Sequence, residues 1–228
     1  MIEVLRDNGF YLLVGEFPHG PPGGLLLTLL LAACTMALVL PGAVLVALAR
    51  TSGRPWFARP ALAFVSIIRA VPVLLIIFWT YLFVPVLTGV AISGFVTIVA
   101  AITIYQTAYL SEVIRAGIEA LPRGQIEAGR ALGLRYWTIM LRIVLPQVLV
   151  NTSPGILNVL IIVVKETSLG YMVGLGELTL TASHVNSLTL TRPLEVFAIL
   201  SLMYFVICYS LGRIVKQLEK RVGTAAGH

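Results

Sequence analysis

The chain has 228 residues, 58% of them hydrophobic and 11% charged, with a mean hydropathy of +0.97 and a net charge of +6. Soluble domains are only about half apolar, so this composition excludes an ordinary soluble enzyme or regulator and marks an integral membrane protein. The basic excess does not point to nucleic acid: lysines and arginines sit at the ends of apolar stretches, and no DNA- or RNA-binding motif accompanies them.

In chain order, residues 1–22 lack a positive segment followed by a short cleavable apolar core, so no signal peptide is expected, and Phe10 to Val14 is expected to lie along the membrane interface. Five stretches then reach the roughly 20 residues that a helix needs to cross the hydrocarbon. They run Gly24 to Ala49, Phe57 to Val84, Ile92 to Ala116, Ile143 to Val164 and Leu194 to Val215. The expected fold is therefore an all-α membrane protein of about five transmembrane helices. It divides into an interfacial segment at 1–22, a membrane domain at 23–215 and a tail at 216–228. Pro41-Gly42, Pro72 and Pro154-Gly155 are expected to interrupt spans one, two and four, since each proline removes a helix hydrogen bond. Two explanations stay open for these kinks: enclosing a cavity, or accommodating tight packing.

Positive charge sets the orientation. Arg50, Arg54 and Arg59 follow span one; Arg123, Arg130, Arg135 and Arg142 follow span three; Lys216, Lys220 and Arg221 follow span five. All three groups are expected on the cytoplasmic side. The opposite side holds Arg6, Lys165 and Arg192 together with Glu3, Asp7, Glu16, Glu166 and Glu177. Five crossings then leave the N-terminus outside and the C-terminus inside.

The segment from Pro122 to Pro146 is the polar, arginine-rich exception among apolar spans. A proline in the first turn, alanines at 128 and 131 and a stop at Gly133 predict a short helix, with a second beginning near Tyr136. Ala128, Gly129, Ala131 and Gly133 are expected to keep an exposed face low, rimmed by Glu127, Arg130, Leu134 and Arg135, so that a partner's cleft approaches the backbone. The plainer alternative is an amphipathic helix pair packed on its own bundle.

Glu127-Ala128, Gly133, Ile143 and Leu145-Pro146 at this spacing resemble the EAA loop of permease subunits of bacterial ATP-binding-cassette importers. One position departs, Gly129 standing where that family usually has alanine. Further matches narrow the resemblance to polar-amino-acid permeases of the histidine, glutamine and arginine type. These are Arg69-x-x-Pro72, Tyr109-x-x-Glu112-x-x-Arg115-x-Gly117-Ile118, Pro122-x-Gly124-Gln125, Leu145-Pro146-Gln147, Asn158 and Lys165-Glu166-Thr167-Ser168-Leu169. The resemblance implies alternating access in the bacterial inner membrane and two ATPase subunits, each seating one EAA loop. It also implies a second permease subunit, identical or similar, and an external solute-binding protein that delivers the amino acid. ATP and Mg would belong to the partner ATPase, since this chain has no phosphate-binding G-x-x-x-x-G-K-[ST] loop and is expected to bind no cofactor itself.

Charges inside spans persist only when paired, hydrated or functional. Arg69 and Glu112 are therefore candidates for a polar substrate path with Gln106 and Asn158, or else for structural ion pairs or snorkelling side chains. Thr103, Tyr105, Gln106, Thr107 and Tyr109 either line a pore or join helices by hydrogen bonds worth about 1 kcal/mol each. After span four, Lys165, Glu166, Thr167 and Ser168 open a glycine-rich segment reaching Leu178. It is expected to bend and form a short helix as an outer gate or a contact for the binding protein. Glu112→Ala is expected to alter transport without releasing the ATPase, and Gly133→Asp to uncouple it.

Enzymatic chemistry is not supported. His19, His184 and His228 are widely spaced, Cys34 and Cys208 lie within spans as packing residues, and no nucleophile elbow or H-E-x-x-H helix occurs, so neither a metal site nor a disulfide is expected. Two other functions remain as alternatives. An ion-gradient-driven transporter or channel would use Arg69 and Glu112 as coupling charges; a membrane-embedded enzyme lacks a catalytic constellation.

Overall fold

The computed structural model describes residues 2–189 and 192–225, and it is helical throughout: the described residues form no β-strand, only two isolated bridge pairs. The side chain of Arg221 and the whole of His228 lie outside the described residues. Helix α1, Ile2–Val14, precedes the long α2, Gly24–Thr51. Next come α3, Pro55–Ala70, and α4, Val73–Phe78, which passes through a π-helical turn at Trp79–Phe83 into α5, Val84–Thr88. Helix α6, Gly94–Ala120, starts at Ser93, whose hydroxyl accepts from the Val96 amide at 3.3 Å as an N-cap. Short helices α7, Arg123–Ala131, and α8, Tyr136–Ile139, lead through a π-helical turn at Met140–Val144 into α9, Leu145–Asn151. Helix α10, Ser153–Glu166, tightens into a 3-10 helix at Thr167–Val173; α11, Leu178–Thr189, and α12, Pro193–Ala225, complete the chain.

Among the described residues, four helices are long and apolar enough to cross a membrane: Gly24–Thr51, Gly94–Ala120, Ser153–Val173 and Pro193–Lys220. The interruption expected at Pro72 in span two occurs and is sharper than a kink: the stretch from Phe57 to Val84 forms two helical pieces, Pro55–Ala70 and Val73–Thr88, at 103° to each other. The cause is local: Pro72 lacks an amide hydrogen and restricts Val71, which takes extended backbone with φ −109° and ψ 134°. The interruption expected at Pro154-Gly155 in span four also occurs, just ahead of that pair, and it moves the start of the span. The stretch from Ile143 breaks at Thr152, and the helix resumes with Pro154 in its first turn, where a missing amide hydrogen costs nothing. Pro41-Gly42 does not interrupt span one, because α2 runs through it without a break. A Cβ on Gly42 would lie 3.0 Å from Thr107 Oγ1, so this glycine serves close contact between α2 and α6. That is the packing role, and it also accounts for the burial of Thr107.

The main core joins α2, α6 and α10 through fully buried Leu31, Val39, Ile102, Leu110, Ile114 and Val163. Small residues let α6 approach its neighbours: a Cβ on Gly117 would lie 2.5 Å from Thr152 Cγ2, and one on Gly155 would lie 2.8 Å from Val113 Cγ1. A second core packs α1 on α11 and α12 through Val4, Leu12, Leu178, Val185, Val196 and Ile199. Leu12 is therefore buried by protein, while Phe10 and Leu13 remain exposed. Helices α2 and α6 run in the same direction. Gly24 pairs with Glu177, and Gly94 neighbours Val173, at one end of the bundle; Thr51 and Glu119 share a cavity with Arg130 and Tyr136 at the other. The α7–α8 elbow thus caps one end of the bundle, and the 167–178 segment caps the opposite end.

Candidate functional site

Two places gather the polar residues singled out in the sequence. The first is the elbow. Helix α7 ends in a left-handed cap: Gly133 has φ +73°, its amide donates to Arg130 O at 2.9 Å, and the Leu134 amide donates to Gly129 O at 3.1 Å. These two bonds satisfy the last carbonyls of the helix, and the positive φ is what calls for glycine. Glu127, Ala128, Arg130, Ala131, Leu132, Leu134 and Arg135 are exposed, as expected of a low surface with a charged rim. Gly129 is the exception and a correction. It is buried, and a Cβ there would lie 3.0 Å from Ile139 Cγ1, so it faces α8 rather than the open side. A glycine at this position tightens the seam inside the elbow.

The elbow is also tied to the bundle by a contact that the sequence did not single out as a pair. The Gln147 amide donates to Gln125 Oε1 at 2.9 Å, and Gln125 Nε2 donates back to Gln147 Oε1 at 3.2 Å, joining α7 to α9. Gln147 Nε2 also donates to Ile143 O at 2.7 Å. Both glutamines belong to motifs quoted above, but nothing in their spacing signalled a reciprocal amide pair. Behind the elbow, a cavity of about 420 Å³ is bounded by Thr51, Glu119, Arg130 and Tyr136. Burial pushes the Tyr136 phenol above its ordinary range.

Glu112 lies near this end. It pairs with Arg50 from α2 and receives Arg115 Nε at 3.1 Å and an Arg115 terminal nitrogen at 2.9 Å; Arg115 reaches Glu119 at 2.5 Å. The chain Arg50, Glu112, Arg115, Glu119 alternates in sign and ties the end of α2 to the last turns of α6. Of the two possibilities for Glu112, this geometry is that of a structural ion pair.

The second place is a pocket of about 450 Å³ between α6 and α10, lined by Tyr105, Gln106, Tyr109, Asn158 and Glu166 among others. Gln106 is 2% exposed and donates through Nε2 to Glu166 Oε2 at 2.7 Å. The Tyr105 hydroxyl donates to that of Tyr109 at 3.2 Å, with ring centroids 4.9 Å apart. Arg69, at the end of α3 beside the 103° bend, lays its guanidinium 5.1 Å above the Tyr109 ring, a cation–π contact. Three of the four expected path residues, Arg69, Gln106 and Asn158, therefore line or adjoin one pocket, and Glu112 does not.

Glu166 lies elsewhere than the sequence suggests: in place of an outer segment following span four, α10 continues through it, so it belongs to the pocket wall. Its former companions differ in kind: Lys165 is exposed, Thr167 is buried and donates to Val164 O at 2.7 Å, and Ser168 donates to Lys165 O at 2.6 Å. A short helix and a bend both occur within this segment, but in the reverse of the expected order: the 3-10 helix comes first, the bend follows at Gly174 with φ +70°, and α11 starts only at Leu178, where the segment ends. Among the described residues no group of three His, Cys, Asp or Glu side chains is placed to hold a metal ion.

Comparison with known proteins gives this arrangement its family. Residues 39–224 match the model of the "binding-protein-dependent transport system inner membrane component". The chain is 34% identical over 206 residues to the inner membrane amino-acid ABC transporter permease protein YhdY of Escherichia coli K12, covering 89% of this chain and 56% of that protein. It is also 34% identical over 200 residues to the probable glutamine ABC transporter permease protein GlnP of Bacillus subtilis, covering 87% and 91%. The chain thus spans little more than half of the first relative and nearly all of the second. A crystal structure of an amino acid ABC transporter with histidines shares the fold with a TM-score of 0.77 and 30% identity, covering 87% of this chain and 92% of that one. The chain belongs to the inner membrane components of binding-protein-dependent transport systems, and it is a multi-pass permease subunit of an ATP-binding-cassette importer.

Proposed function

We propose that a polar amino acid crosses the membrane through the pocket between α6 and α10, with Glu166, Gln106, Asn158 and Arg69 as its polar lining. The observation that carries this is the Gln106–Glu166 pair with Arg69 close by over Tyr109. A carboxylate suits an ammonium group and a guanidinium suits a carboxylate, so one small pocket offers both signs that a zwitterion needs. The relatives' names, amino-acid and glutamine permeases, agree with that chemistry. Glu112 is assigned a structural role in holding α2 to α6. The 3-10 helix from Thr167, with Lys165 and Ser168 at its start, closes the far end of the pocket and acts as the gate there.

The exposed elbow face, Glu127, Ala128, Arg130, Ala131, Gly133, Leu134 and Arg135, is the seat of an ATPase subunit, one for each of two permease subunits. Exposed Trp79, Leu82, Phe83, Val86 and Leu87 leave an apolar surface for lipid or for that second permease. The elbow faces the cytoplasm, in keeping with its arginines. The opposite end, where α1, α11 and the Glu3–Arg192 ion pair lie, faces outward and receives the solute-binding protein. Closure of the ATPase pair displaces α7, and the reciprocal glutamine pair carries that displacement into α9.

Reconstitution tests the function as a whole. Proteoliposomes containing the permease, its ATPase and its binding protein are expected to accumulate radiolabelled amino acid only with ATP inside the compartment that the elbow faces. Uptake without the ATPase and driven by an imposed ion gradient would instead select the secondary-transporter alternative.

A further inference from the structure

The end of the bundle opposite the elbow is held by one buried carboxylate that the transport path does not use. Glu177 is 0% exposed and lies just before α11. Its Oε2 accepts from the Thr179 amide at 2.8 Å and from the Tyr204 hydroxyl at 3.1 Å, and its Oε1 accepts from the Leu180 amide at 3.0 Å. It therefore caps α11 and binds it to α12. Around it the chain closes a polar knot. The Gly24 amide donates to Gly176 O at 2.9 Å, and the Leu178 amide donates to Thr28 Oγ1 at 3.1 Å, so the start of α2 is fastened to the same segment. Gly170 of the 3-10 helix sits so close that a Cβ there would lie 3.1 Å from Glu177 Cγ. Four elements of the bundle, α2, the 3-10 helix, α11 and α12, meet at this carboxyl.

The knot can be wired for either protonation state by turning hydroxyl hydrogens, with every heavy atom in place. The Tyr204 hydroxyl lies between Glu177 Oε2 and Thr179 Oγ1, 3.2 Å from the latter, and either oxygen of that second contact can be the donor. With Glu177 ionised, Thr179 donates to Tyr204 and Tyr204 donates to the carboxylate. With Glu177 protonated, its O–H donates to Tyr204, which donates to Thr179. Tyr204 on α12 is the titratable group facing Glu177; α2 presents Thr28 and backbone, α11 presents Thr179 and Leu180, the 3-10 helix presents Gly170, and Arg50, Arg115 and Arg192 make their ion pairs with other carboxylates.

We propose that Glu177 is a proton-binding site whose proton locks the knot joining α2, α11 and α12, so that opening this end of the permease releases a proton. The inference goes beyond the transport reading and does not depend on which amino acid is carried. Burial pushes the Glu177 carboxyl up from 4.5 to about 7, against the opposing pull of the Thr179 and Leu180 amides and the Tyr204 hydroxyl. The sign follows from linkage. An acid raised in the closed state holds its proton there between those two values, so the closed knot is favoured at the acidic end of the window and weakens as pH rises through it. With 4.5 for the opened and about 7 for the closed state, the opening constant rises roughly thirtyfold from a pH of about 5.5 to one of about 8.5.

The test uses the assembled transporter in lipid nanodiscs. Difference infrared spectra across that pH range are expected to show a protonated-carboxyl band that titrates near neutrality and is missing in Glu177→Gln. Tyr204→Phe removes a donor to the carboxylate, so it is expected to keep the band and move its midpoint upward. Hydrogen exchange of the 178–180 amides, compared between wild type and Glu177→Gln at equal pH, is expected to be alike at the acidic end and severalfold faster in wild type at the alkaline end. A band unchanged by Glu177→Gln, or a wild-type midpoint near that of a free carboxylate, overturns the proposal. Should Glu177→Gln fail to fold, Tyr204→Phe decides alone, and an unmoved midpoint in it also overturns the proposal.

Discussion

The elbow and the pocket solve opposite physical problems. In the elbow the side chains are exposed and the backbone is closed: the α7 carbonyls are satisfied by the Gly133 cap, and the arginines point at solvent. In the pocket the polar side chains are buried or half-buried, and they are satisfied by each other, Gln106 by Glu166 and Tyr105 by Tyr109. A surface of the first kind is ready for a rigid partner and needs no rearrangement to be seated. One of the second kind must exchange internal hydrogen bonds for bonds to a passing molecule, so its occupant must offer groups of matching polarity. The difference predicts that damage to the pocket shows in the transport of substrate, and damage to the elbow in coupling to ATP.

The largest effect is expected at Glu166. Glu166→Gln keeps an amide that can still bond Gln106 but removes the negative charge. Loss of a charge-assisted contact is worth about 2–3 kcal/mol, so the transport rate at low substrate should fall roughly 30- to 150-fold while basal ATP hydrolysis persists. Transport within a fewfold of wild type would remove the pocket from the path. Next is Glu112→Ala, which leaves Arg50 and Arg115 without their shared carboxylate. For a partly buried pair the cost is about 2 kcal/mol of folding stability, read as a lowered melting temperature and a poorer yield of complex. Normal stability with defective transport would return Glu112 to the substrate path.

How much of this was legible in the sequence depends on range. The elbow is written in contiguous residues, Pro122 to Gly133, whose helix start, small face and left-handed stop are each local rules. The pocket pairs Gln106 with Glu166 across sixty positions, and Arg69 reaches it only because Val71-Pro72 turns the chain by 103°. Hydropathy alone runs straight through that bend, since both arms are apolar; Pro72 marks the break in the sequence but not its angle. The same blindness placed Glu166 outside its helix: a charge at the end of an apolar run reads as a boundary, whereas here it is a half-buried group with a partner. Pro41 failed in the other direction, because a proline within a long, well-packed helix is accommodated.

A smaller effect separates backbone from surface in the elbow. A Cβ on Gly133 would meet nothing within 4 Å, so Gly133→Ala should add only the left-handed strain, about 1 kcal/mol, with little loss of assembly. Gly133→Asn tolerates that backbone better and adds an uncharged bulk; Gly133→Asp adds a charge of similar size. If the face seats an ATPase, Asp should lower substrate-stimulated ATP hydrolysis well beyond Ala, with Asn between them. Equal losses in all three would mean that the backbone, and not the surface, is what matters.

The smallest effect tests whether the two regions are mechanically joined. Gln125→Ala and Gln147→Ala each remove a neutral amide pair worth about 1 kcal/mol, and neither touches the exposed face or the pocket. Each single variant should bind ATPase and substrate normally yet transport fewer molecules per ATP hydrolysed. Because the pair is reciprocal, the double variant should lose no more than either single one, giving a coupling energy close to the whole single effect. Additive losses would show that α7 and α9 communicate by separate routes, the Gly129–Ile139 seam being the alternative connection.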